Sequence, residues 1–262
     1  MKDVIAIIGT GNMGAAFYAG IHAHLNRVRI NVCDRNQLKL DELDAEHEYT
    51  DPAKAILDAD VVLLAVKPQS AQELLAPIAR DLSDRLVISI MAGISITSLK
   101  KMTRSQTVIR AMPNLPARVG RGLTGWIASD TVTPKQKTLA RELFLAVGQE
   151  IELENEALMD SLTPLSGSGP AYFYLLAELL TAKAVKEGFT PDQAALIARE
   201  TLIGSAHLLE ADSGTPATLR AAVSSKGGTT EVAIRSLTEN HLETIFSDAI
   251  DKAIARSREL NR

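Results

Sequence analysis

The stretch Gly9-Thr10-Gly11-Asn12-Met13-Gly14 directly follows the apolar run Val4–Ile8 and opens a helical pattern. Its spacing is G-x-G-x-x-G. The first glycine permits a tight turn, the second lets a pyrophosphate approach the backbone, and the third lets helix and strand pack closely. The phosphates are expected at the helix N-terminus, where backbone N–H groups are unpaired. We therefore expect residues 9–14 to bind a dinucleotide cofactor.

An acidic residue, Asp34, lies 20 positions after Gly14, at the end of the second β-rich run. A carboxylate at this place binds the ribose hydroxyls and disfavours a 2′-phosphate, which favours NAD. The next residue, Arg35, carries the group that accepts a 2′-phosphate, which favours NADP. Both residues are candidate cofactor ligands, although Arg35 also fits a solvated surface charge. The choice between NADH and NADPH stays open.

Short Val- and Ile-rich runs alternate with helical patterns through the first 154 residues. Most of these runs are continuously apolar, as in Val61–Val66, which is typical of parallel strands covered on both faces. The alternation predicts an α/β fold: a doubly wound, Rossmann-like domain over residues 1–154. A further helix is expected over 133–146, between closing strands at 120–129 and 149–153.

Ligands of such sheets bind outside the carboxyl ends of the strands. Three further segments follow predicted strands and are expected to line the same crevice. Lys67 in the first of them also fits an ordinary surface lysine. The candidate cofactor residues in these segments are Ala65, Val66, Lys67 and Pro68, then Ala92 and Gly93, and then Asn114.

Residues 155–262 lack β-rich runs and predict a helical domain. Pro170, Pro191 and Pro216 stand near expected helix starts, where a missing N–H costs little. Helices are expected over 156–162, 170–187, 191–211, 216–223 and 239–260. Wide apolar faces over 171–184 and 194–209 predict that this domain packs against a second copy of itself.

Composition excludes several classes of protein. The chain has 262 residues, 28 basic and 32 acidic, for a net charge of −4, so duplex nucleic acid is not an expected partner. The one cysteine, Cys33, cannot form an internal disulfide, and no apolar run approaches the roughly 18 residues that span a bilayer. We expect a cytoplasmic protein without membrane contact, in which Cys33 is a buried small hydrophobe.

Two segments of the helical half are rich in glycine and hydroxyl residues. Ser166–Tyr172 lies at the start of a long apolar helix, and Val223–Thr230 precedes another helix expected from about Glu231. Such a helix start makes a nest of N–H groups suited to a carboxylate. The five histidines are scattered, and no metal-ligand cluster is evident, so no metal is expected.

Taken in order along the whole chain, these motifs resemble the pyrroline-5-carboxylate reductase family. The motifs are the Gly9–Gly14 loop, Val66–Pro68, Arg110–Asn114, Ser166–Tyr172 and Gly227–Thr230. The resemblance implies a Rossmann domain, a helical dimerisation domain, and reduction of a cyclic imine to proline with NADPH or NADH. It also implies a homo-oligomer, either a dimer or a ring of dimers.

The resemblance also suggests roles for residues in the second glycine-rich segment. Backbone N–H groups and the Ser225 hydroxyl are expected to hold the substrate carboxylate. Thr230 is expected to hydrogen-bond the ring nitrogen, as the catalytic residue. The alternative for both threonines is plain N-capping of the helix. The family usually has proline where this chain has Lys226. The substrate residues are thus Ser225, Gly227, Gly228, Thr229 and Thr230.

Two other functions fit parts of the sequence. A reductase of the β-hydroxyacid or 6-phosphogluconate dehydrogenase type needs a lysine soon after a glycine-rich segment, yet none occurs between Gly169 and Lys183. A non-catalytic dinucleotide sensor would need Gly9–Gly14 and Asp34, but it would not need the Ser166–Tyr172 and Gly227–Thr230 motifs.

Overall fold

A computed structural model describes residues 3–260, and within that range eight strands form one sheet. The spatial order is β3-β2-β1-β4-β5-β6-β7-β8. Strands β1 to β6 run parallel, β7 is antiparallel to β6, and β8 is parallel to β7. The strands are β1 (Asp3–Ile8), β2 (Val28–Cys33), β3 (Glu48–Tyr49), β4 (Val61–Leu64), β5 (Leu86–Ser89), β6 (Val108–Pro113), β7 (Gly122–Ala128) and β8 (Gly148–Glu152).

The described residues also form α-helices before, between and after the strands. Those up to residue 162 are α1 (Asn12–His24), α2 (Gln37–Asp41), α3 (Pro52–Ile56), α4 (Pro68–Leu75), α5 (Ile96–Thr103), α6 (Pro134–Leu145) and α7 (Leu158–Leu162). The later ones are α8 (Gly169–Lys186), α9 (Pro191–Ala211), α10 (Pro216–Ala222), α11 (Thr229–Glu239) and α12 (Leu242–Leu260). A 3₁₀ turn spans Leu115–Val119, and a π-helical turn spans Thr163–Gly167.

The chain reverses its order in the sheet beside β1. From β1 it proceeds outward to β2 and β3, then crosses to β4 and continues to β6 on the other side. This is the predicted doubly wound topology, in which ligands bind at the strand ends near the reversal. The α/β fold class is therefore confirmed.

Burial explains why the strands are continuously apolar. All four residues of β4 and all four of β5 are buried, and separate apolar clusters cover the two faces of the sheet. Trp126 on β7 is fully buried, packs against Phe144, and donates a 2.5 Å hydrogen bond from Nε1 to Glu150. Each strand thus removes apolar side chains from water on both sides.

Helix starts in the later part of the chain follow the predicted proline signals. Thr190 and Gln193 form a reciprocal capping box at the start of α9, with Pro191 at its first helical position. Thr215 caps α10 in front of Pro216. The predicted starts at these two prolines are confirmed.

The described residues divide into two units. The first contains residues 3–168 together with 254–260, and the second contains residues 169–253. In the second unit α8 packs along α9, with Ala194 and Ala198 fully or nearly fully buried. The division at 154/155 stays a prediction; the compact unit that holds the sheet extends beyond it, to Ser168.

Several helix bounds differ from those expected. α12 begins at Leu242 rather than at residue 239, because the backbone at His241 adopts a left-handed conformation with φ of 59°. The sequence predicts helices over 51–59 and 70–81, whereas α3 ends at Ile56 and α4 spans Pro68–Leu75. The helix α5 was not predicted. Ser166, expected in a loop before a helix, lies instead in the π-helical turn.

None of the described helices is both long and apolar enough to cross a bilayer. Cys33 is buried as expected, and it has no disulfide partner. Burial is the main cause that raises the pKa of its thiol to about 12, with the charges of Asp34 and Asp51 adding to it.

Candidate functional site

The glycine-rich loop has the geometry that its spacing predicts. Gly9 has φ of +98°, a left-handed conformation that L side chains rarely adopt. A Cβ at Gly14 would lie 1.9 Å from the carbonyl oxygen of Gly9, so only glycine permits this approach. Gly14 is buried, and the turn passes directly from β1 into α1.

The start of α1 can hold an anion. Gly11 occupies the N-cap position without a side-chain cap, and the first turn contains no acidic residue. A Cβ added to Gly11 would meet no atom within 4 Å, so the backbone there borders open space. Unpaired N–H groups at an uncapped helix start attract phosphate. This geometry fits the pyrophosphate of a dinucleotide held by residues 9–14, while their contact with a cofactor stays a prediction.

Asp34 follows β2 and binds the glycine-rich loop itself. One carboxylate oxygen, Oδ2, accepts hydrogen bonds from the Thr10 backbone nitrogen at 3.0 Å and from its hydroxyl at 3.1 Å. The other oxygen accepts one from the Asn36 nitrogen at 3.0 Å. Burial acts to raise the pKa of Asp34, but the bonds from Asn36 and Thr10 and the charge of Lys39 outweigh it and lower that pKa. Asp34 is therefore ionised and braces the loop.

Two cations accompany Asp34 at the end of β2. The Lys39 ammonium lies 3.6 Å from Asp34 Oδ2, and Arg35 is exposed. Sequence reasoning singled out Arg35 but missed Lys39, which the one short turn of α2 brings back toward the strand end. Both cations are therefore near the place where a Rossmann sheet binds the adenosine ribose.

The segments after β4 and β5 differ in their exposure. Ala65 and Val66 are half-buried beside Gly9, whereas Lys67 is exposed as the N-cap of α4 and precedes Pro68 at the first helical position. Ala92 is exposed as well, and Gly93 lies against the backbone of Leu260. All six predicted residues follow carboxyl ends of parallel strands, while their contact with a cofactor stays a prediction.

Asn114 follows β6 and uses both ends of its amide within the protein. Oδ1 accepts a 2.9 Å hydrogen bond from the Leu123 nitrogen, and Nδ2 donates one of 3.2 Å to the Ser166 hydroxyl. This link between β6 and the π-helical turn was not predicted, because the two residues are 52 positions apart. It joins the Arg110–Asn114 motif to the Ser166–Tyr172 motif.

The buried arginine of the Arg110–Asn114 motif has a structural partner. The Arg110 guanidinium donates a 2.8 Å hydrogen bond to Glu156, and its side chain is 5% exposed. Glu156 Oε1 also accepts from the Ile96 nitrogen at 2.9 Å. The pair holds the chain after β8 against β6 and thereby supports the strand that ends at Asn114.

In the second unit, Gly227 has φ of +72° and leads into α11. Its N–H donates to the carboxylate of Glu231, and the Gly228 N–H donates to the Ser225 carbonyl oxygen at 2.9 Å. Two of the backbone donors expected for a substrate carboxylate are thus bound within the loop. The donors that remain are the first-turn N–H groups of α11, at residues 229–231.

The capping alternative for the two threonines is wrong. Gly228 is the N-cap of α11 and no side chain caps the helix, so Thr229 and Thr230 are its first two helical residues. Thr229 is exposed and Thr230 is half-buried. Ser225 and Lys226 are exposed too. The hydroxyls of the threonines are therefore not used as caps, and their role in substrate binding stays a prediction.

Among residues 3–260, no group of three His, Cys, Asp or Glu side chains is placed to hold a metal ion.

Two family models match the chain. Residues 156–260 match the model described as pyrroline-5-carboxylate reductase dimerisation, and residues 4–93 match the model described as NADP oxidoreductase, coenzyme F420-dependent. The first model matches the helical part of the chain, and the second matches the first part of the α/β region.

Whole-chain relatives agree with the first model. The chain is 36% identical over 265 residues to a pyrroline-5-carboxylate reductase of Vibrio alginolyticus, covering 98% of this chain and 97% of that protein. Its fold is similar to the solved pyrroline-5-carboxylate reductase of Coxiella burnetii, with TM-score 0.92, 35% identity and full coverage of both chains. It is also similar to the Plasmodium falciparum pyrroline carboxylate reductase solved with NADP bound, with TM-score 0.86, 26% identity, and coverage of 99% and 98%.

Proposed function

Because the chain belongs to the pyrroline-5-carboxylate reductase family, we propose that it reduces 1-pyrroline-5-carboxylate to L-proline with NAD(P)H, the last step of proline biosynthesis. The observation that carries this proposal is the whole-chain match to reductases of that activity, with both glycine-rich helix starts present. The protein is accordingly an oxidoreductase that acts on a C=N bond.

The cofactor is assigned to the edge of the sheet where the parallel strands end. The α1 start takes the pyrophosphate, since it offers uncapped N–H groups beside open space at Gly11. Asp34, Arg35 and Lys39 would hold the adenosine ribose and its phosphate. Asp34 is already bound to Thr10, and two cations stand near it, which supports NADPH over NADH. The remaining cofactor residues at the strand ends are Ala65, Val66, Lys67, Pro68, Ala92, Gly93 and Asn114.

The substrate carboxylate is assigned to the start of α11. The N–H groups of residues 229–231 and the Ser225 hydroxyl are the donors that would bind it. Glu231 holds the Gly227 N–H, so a bound carboxylate gains that donor only when the Glu231 side chain moves away.

The reaction adds a hydride to the imine carbon and leaves a proton on the ring nitrogen. NAD(P)H held at the carboxyl ends of the strands would supply the hydride and would leave as NAD(P)⁺. A threonine is a weak acid, so the substrate reacts as the protonated iminium and Thr230 accepts the hydrogen bond from its nitrogen. Most of the catalysis then consists of holding the two reactants in contact.

The alternative β-hydroxyacid chemistry lacks its acid. Between Gly169 and Lys183 the first part of α8 contains no lysine, whereas the α11 start suits an anionic imine. The sensor alternative leaves the Ser166–Tyr172 and Gly227–Thr230 motifs without a purpose. The imine reductase gives the Gly227–Thr230 motif a role, as the site of the substrate carboxylate.

The test is an absorbance assay at the NAD(P)H band. Pyrroline-5-carboxylate, a panel of hydroxyacids and a blank are each run with NADH and with NADPH at matched concentrations. Oxidation with the imine alone, faster with NADPH, supports the proposal. Turnover of a hydroxyacid, or cofactor binding without turnover on any substrate, contradicts it.

We assign the exposed apolar residues of the helical unit to a dimer interface. On α8, Phe173 is 57% exposed and Leu179 is 59% exposed, and on α9 Leu208 is 52% exposed. Side chains of this size are normally buried in a stable protomer, and a second copy would cover them. Light scattering at micromolar concentration is expected to give a dimer or a ring of dimers, and a monomer would refute this assignment.

A cytoplasmic location is part of the proposal. It rests on the one cysteine of the sequence, Cys33, which is buried and free. A reducing compartment is the usual place of such chains.

A further inference from the structure

The Ser166–Tyr172 motif has no role in the proposed function, yet its first residue is bound to a predicted cofactor residue. Ser166 lies in the π-helical turn, and its hydroxyl oxygen is 3.2 Å from Asn114 Nδ2. Ser166 is half-buried, and Asn114 is the first residue after β6. The pair thus stands at the carboxyl end of a parallel strand.

The direction of the Asn114–Ser166 hydrogen bond is fixed by a third residue. Asn114 Oδ1 accepts from the Leu123 nitrogen at 2.9 Å, and a backbone N–H can only donate. The amide NH₂ therefore faces Ser166, and the Ser166 oxygen is the acceptor. Its own proton must point elsewhere. Within residues 3–260, the Ser166 hydroxyl has no second hydrogen-bond partner.

The position of Asn114 and Ser166 in the sheet indicates which part of the cofactor the Ser166 hydroxyl can reach. In a doubly wound sheet the two halves of a dinucleotide lie on either side of the strand reversal. Asp34 and its cations mark the adenosine side, at β2, so the nicotinamide side lies toward β4, β5 and β6. Ser166 stands at the end of β6 and therefore on the nicotinamide side.

The π-helical turn holds Ser166 rigidly. The Thr163 hydroxyl donates to the Met159 carbonyl oxygen at 2.9 Å, and the Ser168 nitrogen donates to the Thr163 carbonyl oxygen at 2.8 Å. A Cβ at Gly167 would lie 2.8 Å from the Met112 methyl group, which shows that the turn packs closely on the side chain of a β6 residue. Such π-turns occur frequently at functional sites.

We propose that the Ser166 hydroxyl donates a hydrogen bond to the carboxamide oxygen of the nicotinamide, and that Asn114 is a positioning residue acting through Ser166. This inference rests on the proposed function only in that the chain binds NAD(P)H. The carboxamide oxygen is an acceptor, and fixing it sets which face of the nicotinamide ring meets the substrate. The contact explains why a hydroxyl residue begins this motif.

The test compares two ligands that differ only by the nicotinamide. The dissociation constants of NADPH and of 2′-phospho-ADP-ribose are measured by calorimetry for the full-length protein and for Ser166→Ala. The loss of one neutral hydrogen bond is expected to weaken NADPH binding about tenfold. Binding of 2′-phospho-ADP-ribose is expected to stay within about twofold. Unchanged NADPH binding, or an equal loss for both ligands, overturns the assignment.

Asn114→Asp tests the positioning role. The carboxylate still accepts from the Leu123 nitrogen, but it also accepts the Ser166 proton and thus turns that proton away from the cofactor. This variant is expected to lose NADPH affinity as Ser166→Ala does. The double variant is expected to lose no more than either single one. Additive losses would show that Asn114 does not act through Ser166.

Ser168→Ala is the matched control, because Ser168 lies two residues away in the same motif and is exposed. It is expected to bind both ligands as the unaltered protein does, and an equal loss of NADPH affinity overturns the specific role of Ser166. The measurement needs no imine turnover. A chain that shows the selective loss but reduces no imine supports this inference while contradicting the proposed function.

Discussion

One carboxylate oxygen of Asp34 accepts both the backbone N–H and the hydroxyl of Thr10, at 3.0 and 3.1 Å. The residue that the sequence marks as a ribose ligand is thus also the brace of the phosphate-binding loop. Because the Asp34 carboxylate binds the loop itself, removing its charge should weaken the binding of any dinucleotide, with or without a 2′-phosphate.

The first prediction is that Asp34→Asn weakens NADH and NADPH binding by the same factor, about tenfold, since bonds to a charged acceptor are lost. Thr10→Val, which removes only the hydroxyl bond, is expected to give a smaller loss in the same direction. Asp41→Asn on the exposed face of α2 is the control. A loss confined to NADH would instead identify Asp34 as a ribose ligand only.

The same variant carries a pH signature. The folded-state pKa of Asp34 is lowered, so its ionised form contributes stability above the unfolded pKa of about 3.9 and loses it as the pH falls through the folded value. The difference in unfolding free energy between the unaltered protein and Asp34→Asn should be constant from neutral pH to about pH 5, and it should shrink below about pH 4. Denaturant titrations across this range measure it, and a constant difference at pH 3 would contradict the assignment.

The second prediction concerns Arg35. If it binds the 2′-phosphate, Arg35→Ala should raise the KM for NADPH about tenfold and leave that for NADH unchanged. The control is Arg80→Ala, which removes another exposed arginine. Equal effects on the two cofactors would assign Arg35 to a solvated surface charge.

The third prediction follows from the buried thiol. With the pKa of Cys33 raised to about 12, about one thiol in ten thousand is ionised at pH 8. An aromatic disulfide reagent should therefore label the native protein very slowly, and label one thiol per chain at once in guanidinium. Rapid labelling of the native protein would show that the thiol is accessible.

The local motifs were predictable because they depend on a few adjacent residues. The spacing of Gly9–Gly14 fixes a turn and a helix start, and continuous apolar runs such as β4 fix buried parallel strands. The topology then places the carboxyl ends of the parallel strands β1 to β6 at one edge, so the segments that border the crevice could be named from the sequence alone.

The contacts within the site were not predictable, because they join residues distant in sequence. The bond from Asn114 to Ser166 spans 52 positions and depends on a π-helical turn that no periodicity reveals. The bond from Glu231 to the Gly227 N–H depends on the φ of one glycine. The helix α5 was missed because Lys100 and Lys101 interrupt its apolar pattern. The break between α11 and α12 was misplaced because it depends on the left-handed backbone of His241, which the sequence pattern does not reveal.

The fourth prediction is that Glu156→Ala destabilises the protein by about 2–3 kcal/mol, since it leaves the buried Arg110 without its nearest carboxylate. The value is at the low end for a broken ion pair because the Glu156 side chain is 32% exposed and Asp160 remains 4.0 Å from the guanidinium. Denaturant unfolding of the apo protein measures the change. Glu154→Ala, an exposed neighbour in the same segment, should change stability by less than about 0.5 kcal/mol.

The fifth prediction tests Thr230 as the residue that hydrogen-bonds the ring nitrogen. Thr230 lies in the first turn of α11, and its hydroxyl is not the helix cap, so removing it should leave the helix start intact. Thr230→Ala is expected to lower kcat/KM for the imine by about 10- to 100-fold, the loss of one hydrogen bond to a charged group. Thr230→Ser keeps the hydroxyl and should recover most of the activity.

The control for this series is Thr238→Ala, which removes a hydroxyl from the same helix; that hydroxyl donates to the Ile234 carbonyl oxygen at 2.9 Å within α11. It should leave kcat/KM unchanged. Dissociation constants of NADPH, measured in parallel, should not change in any of the variants, because the role assigned to Thr230 concerns the imine and not the cofactor. Unaltered turnover in Thr230→Ala would end the assignment of this residue to the ring nitrogen. A loss that Thr230→Ser does not recover would assign the effect to packing of the helix start instead.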